Sequence, residues 1–185
     1  MNREYIFKIV IGGAGGAGKT TLLIRYLKNV FKSDTALTVG VGFYTKELVR
    51  DGKKVILSLW DLGGQDRFRF LQPSYCLGAR AGIIFFDMSR LDTLSQVEDW
   101  TKMFRRHTNS SIPIVLCGAK LDMVDPEMVE SINDIAKETM EKFGLKSYIT
   151  TSSKTGLNVE ETVNYVVDLL VTQAKTKPPA SPGRK

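Results

Sequence analysis

The residues with the clearest chemistry lie in one run, Gly13-Ala14-Gly15-Gly16-Ala17-Gly18-Lys19-Thr20. A glycine, four residues, a second glycine, then lysine and threonine is the spacing of a loop that wraps a phosphate. Glycines let the backbone curl so that its N–H groups point inward at an anion. At this spacing the Lys19 ammonium reaches the β- and γ-phosphates of a nucleotide and the Thr20 hydroxyl ligates Mg²⁺.

A motif of this kind needs a strand before it and a helix after it. The apolar run Tyr5–Ile11 reads as a buried strand, and Lys19–Lys28, with Thr21 in its first turn, reads as a helix. The N-terminus of that helix adds a positive dipole end at the phosphate. Farther along, Asp61-Leu62-Gly63-Gly64-Gln65 follows a strand ending in Leu59-Trp60. A carboxylate in the place of Asp61 holds Mg²⁺, usually through water. Gly64 lets its backbone N–H approach a γ-phosphate, and Gln65 is placed to orient an attacking water.

Two later segments address a base. Ala119-Lys120-Leu121-Asp122 follows the strand ending Leu116-Cys117-Gly118. The Asp122 carboxylate can accept from both guanine N1 and N2, a donor pair that adenine lacks, so it selects guanine. Thr151-Ser152-Ser153-Lys154 follows the last strand, and its backbone N–H groups can donate to guanine O6. By itself that segment reads equally well as a Ser/Thr loop before a helix.

Strands and helices alternate along the chain, which predicts an α/β domain around a largely parallel sheet. The Asp51-Gly52 turn signal between Tyr44–Val49 and Val55–Asp61 predicts one antiparallel hairpin. Ala81–Asp87 and Ile114–Gly118 read as buried strands, and Ser147–Thr151 as a short last one. Leu94, Val97, Trp100, Met103 and Phe104 recur at helical spacing, predicting a helix from about Leu91 to His107 with these residues in the core. Asp125-Pro126 marks a helix start and Gly144 its end. Val159, Val163, Val166 and Leu170 form one stripe of a final helix.

The 185 residues suit one domain, placed at residues 1–175. The rest, from Thr176 to Lys185, is basic and proline-rich and is expected to be disordered. Cys76 and Cys117 adjoin apolar segments and read as buried thiols in a reducing compartment. The charge of +6 is mostly dispersed, without the basic face and reading elements of a nucleic-acid binder. No apolar run has membrane-span length.

With these parts assembled, the chain resembles a small GTPase of the Ras superfamily from Tyr5 to Ala174. The resemblance implies the Ras-like G domain of a P-loop NTPase. That is a six-stranded, mostly parallel sheet with one antiparallel edge strand and helices on both faces. It also implies GTP and GDP as ligands, with Mg²⁺ held by Thr20, Thr38 and Asp61. Gly13 to Thr20, with Thr21, is then the phosphate site. Phe31 packs on the guanine ring, and Lys120, Asp122, Ser152, Ser153 and Lys154 read the base. Lys19, Thr38, Gly64 and Gln65 serve hydrolysis. Gly15 lies where a bulkier side chain would crowd Gln65 or an incoming arginine, and no arginine of the chain itself is apparent at the site.

The closest likeness is to Rab proteins. Thr38-Val39-Gly40-Val41-Gly42-Phe43, Trp60–Phe68 and Tyr75–Ala79 carry it, and Phe43, Trp60 and Tyr75 fit an aromatic triad presented to effectors. The resemblance implies effectors, exchange factors and GTPase-activating proteins at Thr38–Phe43 and Gly63–Tyr75. It implies a monomer in the cytoplasm with at most peripheral membrane association, a partner supplying any recruitment. Three departures stand out. Ala119 replaces an asparagine that would bond guanine N7 and tie this loop to the phosphate loop. Ser153 replaces a usual alanine, where the contact is by backbone. The sequence also ends Pro182-Gly183-Arg184-Lys185 without a cysteine to prenylate. Ala119 leaves open a second expectation, a nucleotide-dependent binding module of weak guanine affinity and little hydrolysis.

Overall fold

The computed structural model describes residues 4–64, 70–109 and 111–176. In chain order the elements are β1 (Tyr5–Gly13), α1 (Lys19–Lys28), β2 (Val41–Arg50), β3 (Lys53–Leu62) and α2 (Gln72–Cys76). Then come β4 (Ala81–Asp87), α3 (Val97–His107), β5 (Ile114–Ala119), α4 (Val129–Lys142), β6 (Ser147–Thr150) and α5 (Val159–Thr176). The six strands form one sheet in the order β2-β3-β1-β4-β5-β6. Only the β2–β3 pair is antiparallel, at one edge, as the turn at Asp51-Gly52 predicts. Both turn residues have positive φ, 51° and 70°, the backbone of a tight hairpin turn whose twist suits the flanking strands.

The central strands are apolar on both faces because helices cover both. Ile9, Ile11, Leu57, Leu59, Ile83 and Phe85 face α1 and α5, meeting Leu22, Leu23, Val163, Val166 and Leu170. Their neighbours Val10, Ile84, Phe86 and Leu116 point the other way, onto Val97, Trp100 and Phe104 of α3 and Ile132 and Ala136 of α4. This alternation follows from the two-residue period of a strand. Cys76 and Cys117 are free, buried thiols, and burial pushes both up to about 12.

Four differences from the sequence reading have local causes. The hairpin strands are longer than expected, running from Val41 and to Leu62. The expected helix from Leu91 divides into a tight 3₁₀ segment, Leu91–Gln96, and α3. There the Thr93 hydroxyl accepts from the Asp87 backbone N–H and donates to the Arg90 carbonyl, binding the first turn to the end of β4. Asp125 caps a 3₁₀ turn over Pro126–Met128, accepting from Glu127 N, and α4 begins after it. The five-residue α2 had no periodicity to betray it. Residues 177–185, most of the expected tail, lie outside the described residues, and α5 continues through Thr176.

Candidate functional site

The buried polar side chains Lys19, Asp61, Asp87 and Ser152 all sit at the carboxyl ends of the strands or in the segments that follow them. Crevices at that edge are where open α/β sheets bind ligands. Two cavities open there. One, of about 250 Å³, is lined by Gly15, Gly18, Lys19, Thr20, Thr38 and Gly64 among others. The second, of about 230 Å³, is lined by Phe31, Ala119, Lys120, Asp122, Ser153 and Lys154 among others. Gly18, Thr21, Ser33 and Lys120 line both, so the two form one continuous cleft.

At the first cavity, the loop Gly13–Gly18 joins β1 to the N-terminus of α1. Lys19 is buried, and its ammonium donates to the carbonyls of Gly13 and Ala14, both at 2.9 Å. Burial lowers its pKa to about 8, against the attraction of Asp61. Three oxygens from three separate segments meet beside it. Thr20 Oγ1 lies 2.7 Å from Thr38 Oγ1 and donates to Asp61 Oδ2 at 2.5 Å, and the Thr38 hydroxyl reaches the same oxygen at 3.3 Å. Burial raises the Asp61 carboxyl above the ordinary range, opposed by its bonds to Thr20 and Thr38 and by the charge of Lys19. Its second oxygen, Oδ1, is buried without a hydrogen-bond partner. A carboxylate and two hydroxyls with an unsatisfied buried oxygen are a donor set that suits a hard cation such as Mg²⁺.

Gly64 approaches the phosphate loop so closely that a Cβ there would overlap Gly13 O, Gly15 N and Ala14 C. Gln72, not singled out from sequence, holds this approach by donating from Nε2 to the Gly63 carbonyl at 2.8 Å. Thr21 Oγ1 lies 2.7 Å from Thr35 Oγ1, which pins the segment leading to Thr38 against α1. Gln65, expected to orient water, lies outside the described residues.

At the second cavity, Ser152 donates to Asp122 Oδ1 at 2.6 Å, joining the two expected base-reading segments. Leu121 N donates to Thr151 O at 3.0 Å in the same place. Lys120 has a left-handed backbone, and its ammonium bonds Asp87 Oδ2 at 2.7 Å. Ala119 is buried and lies 3.8 Å from the position of a Cβ on Gly18. One contact was not foreseen. Arg90 donates from Nη2 to the carbonyl of Gly15 in the phosphate loop at 3.0 Å. No motif marks that arginine, since only the turn after β4 brings it to the loop.

Outside the cleft, Phe43 and Trp60 meet edge-on with ring centroids 4.5 Å apart, and Tyr75 lies 5.9 Å from Trp60. Phe43 is 58% exposed, while Trp60 and Tyr75 are half-buried against the core, so the cluster reaches from the core to the surface.

The family model described as "Ras family" matches residues 8–172. The chain is similar to the Ras-related protein RABA4a of Arabidopsis thaliana, 35% identical over 164 residues, which cover 89% of this chain and 71% of that protein. It is similar to the Ras-related protein YPTC6 of Chlamydomonas reinhardtii, 35% identical over 164 residues, 89% of this chain and 74% of that one. It is also similar to the GTP-binding protein ypt3 of Schizosaccharomyces pombe, 34% identical over 167 residues, 89% and 75% of the two chains. By this match and these likenesses, the chain belongs to the Ras family and is a Rab-like small GTPase that takes GTP and GDP with Mg²⁺.

Proposed function

We propose that this GTPase acts as a two-state switch, reading the γ-phosphate through Thr38 and Gly64 and reporting it to partners. One observation carries the reading. Thr20 belongs to a rigid helix, Asp61 to a rigid strand and Thr38 to a loop, yet their oxygens converge beside Lys19. A loop held by a few such bonds and by a phosphate loosens when the phosphate leaves.

In this reading the phosphate-loop amides and Lys19 hold the β- and γ-phosphates and stabilise charge that develops on them. Thr20, Thr38 and Asp61 would hold Mg²⁺, which supplies positive charge against those phosphates when bound. Gln65 orients the water. Phe31, Lys120, Asp122, Ser152, Ser153 and Lys154 hold the guanine. Intrinsic hydrolysis is slow, on the order of 10⁻⁴ s⁻¹, and a partner's arginine accelerates it. Effectors, exchange factors and activating proteins dock at Thr38–Phe43 and Gly63–Tyr75, where the exposed Phe43 supports a partner surface. The domain spans residues 1–175 and acts as a monomer in the cytoplasm, recruited to membrane surfaces by a partner. No helix among the described residues is long and apolar enough to cross a membrane.

Hydrogen exchange on the GDP-bound and GTP-analogue-bound chain tests the switch. Added protection at residues 38–43 and 63–64 in the analogue state is expected. Equal protection in the two states contradicts the switch. Single-turnover phosphate release tests the chemistry, with Gln65→Leu expected to slow it. A chain that binds GTP but releases no phosphate would be the weak binding module that Ala119 suggests.

A further inference from the structure

We propose that Arg90 is a positioning residue that ties the base-reading loop to the phosphate loop through Asp87, the connection that Ala119 cannot make. The inference rests on the guanine-nucleotide reading of the cleft. Asp87 ends β4 with its carboxylate fully buried. Its Oδ1 accepts from the Ser89 backbone N–H at 2.9 Å and the Ser89 hydroxyl at 2.6 Å. Its Oδ2 accepts from Lys120 Nζ at 2.7 Å and Arg90 Nε at 3.0 Å. From the same guanidinium, Nη2 reaches the Gly15 carbonyl at 3.0 Å. Three polar contacts, none longer than 3.0 Å, thus run from Lys120 to Asp87, to Arg90 and to Gly15.

The turn that carries Arg90 is braced. Met88 N donates to Ala119 O at 2.9 Å, and the buried Thr93 bonds both Asp87 and Arg90. Gly18 and Ala119 face each other without a polar group between them: a Cβ built on Gly18 would lie 3.8 Å from the Ala119 Cβ. The polar link is therefore displaced to the turn after β4. An arginine suits it because its planar fork presents one donor to the carboxylate and another to the carbonyl in a fixed geometry. A lysine's compact ammonium lacks that fixed fork, with its donors on one nitrogen rather than on two held apart in a plane.

A nucleotide holds the phosphate loop with one end and the base loop with the other, so a link between the loops preorganises the cleft and slows release. The test is release of the fluorescent analogue mant-GDP from the full chain, comparing parent, Arg90→Ala, Arg90→Lys, Ala119→Asn and the Arg90→Ala/Ala119→Asn double variant. Arg90→Ala is expected to speed release by about tenfold, and Arg90→Lys to recover little of that. In the Ala119→Asn background, where asparagine supplies its own tie, the effect of Arg90→Ala is expected to shrink to less than about threefold. An unchanged release rate, or the same fold-change in both backgrounds, overturns the role. So does slower single-turnover GTP hydrolysis with unchanged release, which would make Arg90 part of the chemistry. A parent chain that retains no guanine nucleotide removes the function and this role together. A parent that retains it and shows no coupling removes this role alone.

Discussion

Thr20 and Thr38 lie eighteen positions apart, one in the first turn of α1 and the other in the loop before β2, yet their hydroxyl oxygens are 2.7 Å apart and share one oxygen of Asp61. The pair differs in support, since Thr20 belongs to a helix and Thr38 to a loop outside any helix or strand. Removing the two hydroxyls should therefore have different consequences. Thr20→Ala is expected to weaken Mg²⁺-dependent retention of both GDP and a GTP analogue. Thr38→Ala is expected to weaken retention of the analogue by about tenfold and leave GDP nearly unchanged, the loss of one charge-assisted contact. Release rates with and without EDTA check this, and equal losses for the two nucleotides in Thr38→Ala would contradict it.

Lys19 makes stability depend on pH before any nucleotide binds. Its pKa falls from 10.5 to about 8, chiefly through burial. Between those values the unfolded chain holds more protons than the folded one, so stability rises with pH across that window. A Lys19→Met variant lacks this dependence. In EDTA and without nucleotide, urea unfolding should show the parent gaining on Lys19→Met by about 2 kcal/mol between roughly pH 7 and 9.5. A gap independent of pH would refute the lowered pKa.

Asp122 is oriented by Ser152, whose hydroxyl occupies one carboxylate oxygen. The other remains for the base. IDP lacks the exocyclic amino group of GDP, so the parent is expected to prefer GDP by about tenfold or more, because a site that bonds a ligand N–H discriminates against the analogue without it. Asp122→Ala should bring the two affinities close together, and competition binding measures the ratio. An unchanged preference would place base selection elsewhere.

Gly64 sits where any side chain would overlap the backbone of Gly13, Ala14 and Gly15. Gly64→Ala must displace the segment from the phosphate loop. GDP affinity should change by less than about threefold, while single-turnover GTP hydrolysis falls by about a hundredfold, as expected for a misplaced catalytic segment. Hydrolysis at the parent rate would show that the close approach plays no part in the chemistry.

The framework of this cleft was open to reading in one dimension because its parts are contiguous. The bounds of α1 and β4 follow from the glycine-rich loop and from an unbroken apolar run. Gly144, at φ 59°, closes the α4 segment where the sequence places a stop. Thr20 and Asp61 stood out through the phosphate-loop motif and the strand end, Thr38 only through likeness to a family, and the fold brings their oxygens together. Arg90, Asp87 and Gln72 escaped notice for a physical reason. Their partners are 75, 33 and 9 positions away, and nothing in the local pattern of an arginine, an aspartate or a glutamine says which carbonyl or ammonium the fold will bring to it. The 3₁₀ opening before α3 was hidden likewise, since it depends on Thr93 meeting the end of β4.

Gly63 donates its backbone N–H to the carbonyl of Gly40 at 2.8 Å. With the Thr38–Asp61 contact, that bond fastens the loop that carries Thr38 to the strand end that leads to Gly64. The two stretches are thereby joined by a bond worth about 1 kcal/mol, so displacing one loosens the other. In the switch proposed above, a partner that grips only one of them still senses the state of both.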